Sequence, residues 1–417
     1  MHKNQKTPGS AGAPWTVFKT WVRATPRLPF IALLPCTVVE ILRITLATLV
    51  LLSTATTTQA QWDIEESHTT ASLRGIHNVG GGVAWASGTN GTVLRTEDGG
   101  YLWQTCAIPL AGTKDTAEKL DFRGIQAFDE NTAIVMSSGP GDQSRLYKTT
   151  DGCQTWKLLF TNPDKDGFWD ALLYEPDFEL TVILGDPVKG RFRLFTAVED
   201  GKFSDNWNRH PIPAAPNQAA FAASNSLIVE NVGEGQFSFI TGGSKSEIIH
   251  EEHGIDHKKG MFSEWSRSSL PFESGESSGA FSIAAAPYNK ATKTKTVIVV
   301  GGDYKRPDYT ASTAMFSTDW GYKFALAQTP PHGYRSAVAY DTDTKTWITV
   351  GPNGTDISTD DGRNWRPLIP TPQDTPNADK DWNALSLPFV VGPKGRIGKL
   401  RPDALTSSSK NQVKDKK

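Results

Sequence analysis

Short apolar stretches recur along the chain, and each closes on a glycine: Trp85–Gly88, Val135–Gly139, Val182–Gly185, Phe239–Gly242, Ile298–Gly301, Thr349–Gly351 and Val390–Gly392. The glycines are 41 to 59 residues apart, about 51 on average, which is the size of one four-stranded propeller blade. A second apolar strand start precedes each glycine, at Leu73, Phe122, Trp169, Gln218, Phe281, Tyr334 and Trp382. Asn90-Gly91, Asn353-Gly354 and Lys394-Gly395 follow three of the glycines as hairpin signals. Seven strand starts and seven glycine turns predict an all-β chain, a single seven-bladed β-propeller with strands A to D in each blade. The last blade ends near Leu400 without its outer strand, while Gln61–Ile64 stand unused before the first strand A. The N-terminal segment is therefore predicted to supply that strand and close the ring, which leaves no sheet edge open. The propeller is expected over residues 61–400, with 401–417 as a mobile tail.

A second pattern punctuates the strands. Thr96-Glu97-Asp98-Gly99-Gly100-Tyr101-Leu102-Trp103 returns at Thr149–Trp156, Ser317–Phe324 and Ser358–Trp365, with a worn copy at Asp200-Gly201 before Trp207. The rule is Ser/Thr-x-Asp-x-Gly-x-x-aromatic, with Cys153 once in place of the glycine. An aspartate at that point can accept backbone N–H groups of its own turn, and the aromatic anchors the next strand. The pattern matches the Asp-box of sialidase-like and related propellers. Asp98, Asp151, Asp319 and Asp360 are accordingly expected to be structural.

Composition narrows the class. The 417 residues are 38% hydrophobic and 21% charged, which excludes bulk disorder and a multi-span membrane protein. The first 60 residues carry six of the 43 basic residues and one of the 45 acidic ones, so the remainder has a net charge of −7 and no basic field for nucleic acid. The apolar run Ile44–Leu52, its cationic flank and Thr58-Gln59-Ala60 read as a secretory signal cut before Gln61, making the protein exported, periplasmic or extracellular. The wider zone Phe30–Ser53 is long enough to anchor in a bilayer if uncut, although Glu40 and Arg43 interrupt it. Cys106 and Cys153 could pair in an oxidising compartment, but their places in neighbouring repeats are not obviously in register, which argues against a disulfide. His250, His253 and His257 have ligand-like spacing, yet the surrounding charges read as a polar loop tip. No nucleotide, flavin, haem or metal motif is present, so neither cofactor nor metal is expected.

Blade geometry assigns the candidate chemistry to one face. The A-strand starts, the B–C turns and the D–A connectors share it, and the Asp-boxes lie on the other. That face collects Arg74, Arg123, Asp170, Arg335 and Asn383 from strand starts, Tyr334 beside them, and Asp186, Asp303 and Tyr304 from B–C turns. Arg74, Arg123 and Arg335 are expected to cluster near Asp186 and Asp303, because blades one, two and six face a common rim. Guanidinium forks there suit carboxylates on a partner. The bland alternative is that each arginine ties neighbouring blades.

These residues carry a family resemblance. Leu73-Arg74-Gly75-Ile76, the early Asp-boxes, Gly185-Asp186-Pro187, Ala220-Phe221-Ala222-Ala223-Ser224, Gly301-Gly302-Asp303-Tyr304, Gly333-Tyr334-Arg335-Ser336 and Asn383-Ala384-Leu385 resemble the photosystem II stability/assembly factor family and its exported bacterial relatives with BNR-like repeats. The resemblance spans about Gln61 to Leu400 and implies a seven-bladed propeller without catalysis, monomeric, that binds a protein partner through an arginine patch. Nothing in the sequence demands photosynthesis. The competing reading is a sialidase-like glycosidase, with the three arginines holding a carboxylate, Tyr334 or Tyr304 as nucleophile and Asp186 or Asp303 as acid. The first arginine, however, stands in Arg74-Gly75-Ile76 rather than the Arg-Ile-Pro context of sialidases.

Overall fold

The computed structural model describes residues 61–108, 119–198, 201–205, 211–231, 236–252 and 264–405. The leader expected over residues 1–60 and His253 and His257 lie outside them, as does Asp200 of the worn repeat.

Seven antiparallel sheets form the ring. Blade one is Leu73–Gly80, Val83–Gly88, Val93–Thr96 and Gln104–Thr105, and blade two is Phe122–Ala127, Ala133–Ser137, Arg145–Thr149 and Lys157–Thr161. Blade three has three strands, Trp169–Glu175, Leu180–Val188 and Arg191–Val198, with two bridges among the described residues, Thr196 to Ser204 and Arg191 to Pro213, where a fourth would run. Blade four is Ile228–Asn231, Gln236–Ile240, Glu247–Glu251 and Trp265–Ser269. Blade five is built on Ser278–Ala285, Val297–Asp303, Ala314–Ser317 and Ala325–Leu326, and blade six on Ala337–Asp341, Thr346–Gly351, Gly354–Ser358 and Arg366–Pro367. Blade seven is Ala384–Ser386, Phe389–Val391, Ile397–Leu400 and, as its outer strand, Trp62–Glu65.

The predicted closure is present. Trp62 to Glu65 pair antiparallel with Leu400 to Ile397. Asp374 Oδ1 accepts the N–H groups of Gln61 and Trp62 at 2.8 Å each, and Trp62 packs on Trp382 with centroids 5.9 Å apart.

The glycine landmarks have a steric cause. A Cβ on Gly301 would lie 2.0 Å from the carbonyl oxygen of Gly279, and one on Gly392 would lie 1.9 Å from that of Asp381. The chain leading into strand A passes directly over the end of strand B, so only glycine fits. Freed of side chains, these ends bond the next blade: the Arg335 N–H donates to Gly301 O at 3.0 Å and the Leu73 N–H to Gly392 O at 3.0 Å.

In all four repeat turns one geometry recurs. The Ser or Thr hydroxyl bonds the aspartate Oδ1 at 2.7–2.9 Å in Thr96–Asp98, Thr149–Asp151, Ser317–Asp319 and Ser358–Asp360. The same Oδ1 accepts a backbone N–H four residues on, at 2.9–3.0 Å.

Four expectations are corrected. Gln218–Ala219 do not begin the inner strand of blade four; they pair with Gly242–Gly243, and the strand starts at Ile228 after a detour across the ring. His250 is not on a loop tip. It is a buried strand residue, its Nδ1 2.7 Å from Ser238 Oγ and its Nε2 3.1 Å from Gly321 O. Residues 402–405, assigned to the tail, form a helical turn whose Ala404 and Leu405 are buried in the cluster around Trp62 and Trp382. Finally, Cys106 and Cys153 form a disulfide with Cα atoms 5.5 Å apart. Cys106 follows the outer strand of blade one and Cys153 sits in the repeat turn of blade two. The two positions are out of register within the repeat, but ring packing sets one beside the other.

Two stability outcomes follow. The disulfide closes a separation of 47 residues, and chain entropy gives about 4 kcal/mol for such a loop, so Cys106→Ser with Cys153→Ser should lower denaturant stability by up to about that amount. Asp360→Ala should cost about 1 kcal/mol through lost turn hydrogen bonds, read as a shift in the urea midpoint.

Candidate binding site at the channel mouth

A belt of hydrogen bonds runs around the inner strands and ties each blade to the next. Ala127 N–H donates to His77 Nδ1 (2.7 Å), Gln126 Nε2 to Leu172 O (3.3 Å), and Leu172 N–H to Asn225 Oδ1 (2.7 Å). Ile283 N–H donates to Ser226 O (2.8 Å), Val338 N–H to Ser282 Oγ (3.0 Å), Ser336 Oγ to Trp382 O (3.2 Å) and Asn78 N–H to Ser386 Oγ (2.9 Å). Every joint between adjacent blades has such a bond.

Side chains reach the mouth through bulges. The pairing register shifts between Leu73 and Gly75, Phe122 and Gly124, Trp169 and Ala171, and Ala280 and Ser282. The extra residues are Arg74, Arg123, Asp170 and Phe281. A bulge turns one side chain out of the strand's alternation. The detour of blade four then crosses the opening: Ser224 Oγ donates to Ser336 O in blade six (2.7 Å), and Arg123 Nη1 donates to Ala222 O (3.1 Å).

Together these elements enclose a pocket of about 430 Å³. Arg74 and Arg123 line it, with Tyr304, Tyr334, Asn383 and the detour residues Phe221 to Ala223. Phe221 stacks on Phe281 at 4.2 Å, and Tyr334 meets Phe281 edge-on at 4.8 Å. Asn383 is held by its Nδ2 bond to Leu73 O at 2.8 Å.

The two arginines differ. Arg123 is anchored by Asp121 at 2.7 Å and lies over the Phe168 ring. Arg74 makes no hydrogen bond or ion pair among the described residues, and its Nε is buried without a partner. Burial, followed by the Arg123 charge, lowers its pKa from the ordinary value. The nearby Asp121 charge partly offsets both.

The other predicted residues are dispersed. Arg335 is fully buried and does not join the arginine pocket; it pairs with Asp356, and its Nη1 donates to Asn353 Oδ1 at 2.6 Å. Its N–H makes the contact to Gly301 that Leu73 makes to Gly392, so it takes the inward place of Leu73 rather than the bulge place of Arg74. A one-residue slip of that kind exchanges faces. Burial pushes the Asp356 carboxyl up, but the bonds from His332 and Arg335 outweigh it and hold the carboxyl below its usual range. Asp303 accepts from Arg306 at 2.7 Å and lines no part of the pocket. Asp170 is buried rather than presented to a partner, and burial, then the Asp186 charge, raises its carboxyl well above the usual range. Asp186 accepts the Ala220 N–H at 3.0 Å, and burial pushes its carboxyl up to about 6. Tyr304, Tyr334 and Asn383 line the pocket with Arg74 and Arg123. Phe221 and the rest of the detour were missed as pocket residues, because only the displaced start of blade four marks them.

The chain is a seven-bladed β-propeller in which Arg74 and Arg123 line one pocket. No protein-family model and no curated protein matches the sequence. Among solved structures it is similar to "YCF48 from Cyanidioschyzon merolae", at 18% identity and TM-score 0.53, over 82% of this chain and 100% of that one. It is also similar to "YCF48 bound to D1 peptide", at 16% identity and TM-score 0.53, over 82% and 97%. The WD40 propeller domain of Doa1 matches at 8% identity and TM-score 0.50, over 83% and 99%. At these identities the shared property is the fold, and two of the three structures are of the protein class that the sequence motifs resemble.

Asp186 supplies a pH test. A carboxyl whose pKa rises on folding binds its proton more tightly when folded. Its stabilising contribution is complete below about pH 4 and is lost as pH rises through 6. Asp186→Asn should remove about 2 kcal/mol of the stability lost between pH 4 and 7, measured by urea unfolding of both proteins across that range.

Proposed function

We propose that this chain is an exported, non-catalytic propeller that captures a protein segment by seating a carboxylate against Arg74 and Arg123. The observation that carries the reading is the partly buried Arg74 side chain, whose Nε has no partner and which lines a pocket with no carboxylate in its lining. Arg123 is a second, pre-oriented cation, and the Phe221, Phe281 and Tyr334 rings give an apolar wall for the rest of the segment. The similar structure titled as bound to D1 peptide supports a peptide as the kind of ligand. Export is supported by the leader pattern and by the Cys106–Cys153 disulfide, which belongs to an oxidising compartment. The four repeat turns are read as Asp-boxes of a BNR-like repeat, and the chain is read as a monomer.

The glycosidase alternative finds less support. The residues lining the pocket include no carboxylate, Arg335 is engaged by Asp356, and burial raises the Tyr334 hydroxyl away from the nucleophilic form.

The test is a calorimetric titration of mature protein with a blocked peptide carrying one glutamate, and with its glutamine counterpart. The glutamate peptide should bind at least tenfold more tightly at low salt and lose affinity as salt rises. Arg74→Gln and Arg123→Gln should each remove that preference while thermal unfolding stays cooperative. Equal binding of both peptides, or hydrolysis of a sialoside that Arg74→Gln abolishes, would overturn the reading.

A further inference from the structure

A cavity of about 370 Å³ opens between blades four and five and shares no lining residue with the arginine pocket. Val229, Ile248 and Val297 give it apolar walls, and Trp320 and Tyr322 enter it from the third repeat turn. Lys295, only 6% exposed, also lines it. The Lys295 Nζ donates to Glu230 O at 3.4 Å and lies 5.7 Å from the centre of the Trp320 ring. Glu230 and Trp320 both line the cavity, which sets the ammonium at its edge.

Most of the bonding capacity of that ammonium is unused. It has three N–H donors, one long bond to a carbonyl, and no ion pair among the described residues. Burial pulls its pKa below the ordinary lysine value, and the Glu230 charge only partly opposes this. The Glu230 carboxyl is itself hydrogen-bonded to Glu175 in blade three. His250 adds no charge, because Ser238 Oγ and Gly321 O occupy its two ring nitrogens and burial lowers its pKa. An anion entering the cavity would meet the remaining ammonium donors in surroundings of low polarity, where a charge-assisted hydrogen bond is strong.

The third repeat turn also differs from the other three. At the residue after the aspartate those turns carry Gly99, Gly152 and Asp361, with φ of 80°, 67° and 59°. Here the residue is Trp320, at φ 70°. A bulky side chain in the left-handed region is strained, and strain of this kind collects at binding sites. Trp320 is exposed and meets Tyr288 at a centroid distance of 5.2 Å. Tyr322, also exposed, stacks on His250 at 4.9 Å. The turn therefore sets two aromatic side chains beside one buried cation.

We propose that the cavity between blades four and five binds a small, flat organic acid, with its carboxylate on Lys295 and its ring system against Trp320 and Tyr322. The volume suits one such molecule. Lys295 disfavours a cationic ligand, and a neutral ring would leave its donors unused. The site is independent of the peptide capture proposed above.

Mature protein is titrated calorimetrically with naphthoate and with naphthamide, which share one ring system and differ in charge. Naphthoate should bind at least tenfold more tightly at low salt. Lys295→Met keeps the apolar stem and should reduce that preference to less than twofold. Trp320→Gly restores the glycine of the first two turns, so thermal unfolding should be unchanged or raised while naphthoate binding weakens at least fivefold. Arg74→Gln should leave the preference intact, which separates this site from the arginine pocket. Equal binding of the two probes, no binding of either, or a preference that survives Lys295→Met overturns the proposal. Naphthoate binding that Trp320→Gly leaves unchanged does the same. A preference that Arg74→Gln abolishes also overturns it and assigns the acid to the arginine pocket.

Discussion

Four residues at the start of the described chain hold the two ends of the ring together. Trp62 to Glu65 pair with Ile397 to Leu400, and Trp62 packs against Trp382 beneath them. Without that strand, blade seven would show an open edge and blade one would lose its fixed neighbour. The arginine pocket depends on the joint, because Arg74 comes from blade one, Trp382 and Asn383 from blade seven, and Tyr334 enters strand A of blade six. A propeller is stable as a closed circle, and closure brings side chains from distant parts of the sequence onto one rim.

Within the circle, backbone packing and side-chain placement follow one rule. Glycines at the ends of the B strands let the incoming chain cross at contact distance, and bulges next to those crossings turn single residues toward the channel. Blade four departs from the rule. Its entry runs over the opening before the inner strand begins, so the channel mouth becomes two adjoining pockets separated by residues 218–223.

Burial decides what each charge can do. Arg335 and Asp356 are both inside and both satisfied, so together they fix the entry to blade six. Arg74 is partly buried with an unpartnered Nε, and burial raises the Asp186 carboxyl. Net charge per residue would rank these groups as equals. Their surroundings make the first pair structural.

The blade count, the role of the N-terminal strand and the four turns were legible in the sequence, because each rests on local chemistry that repeats: apolar strands, glycine at a crossing, and an aspartate bonding its own turn. Arg74, Arg123, Tyr304, Tyr334 and Asn383 were legible as mouth residues for the same reason. Arg335 was misplaced because a one-residue shift at a strand entry leaves no mark in composition and yet reverses the face. The disulfide, the buried His250 and the crossing of blade four were equally hidden. They depend on how one blade leans on the next, and that packing is set by contacts between residues far apart in the chain, which only the closed ring brings together.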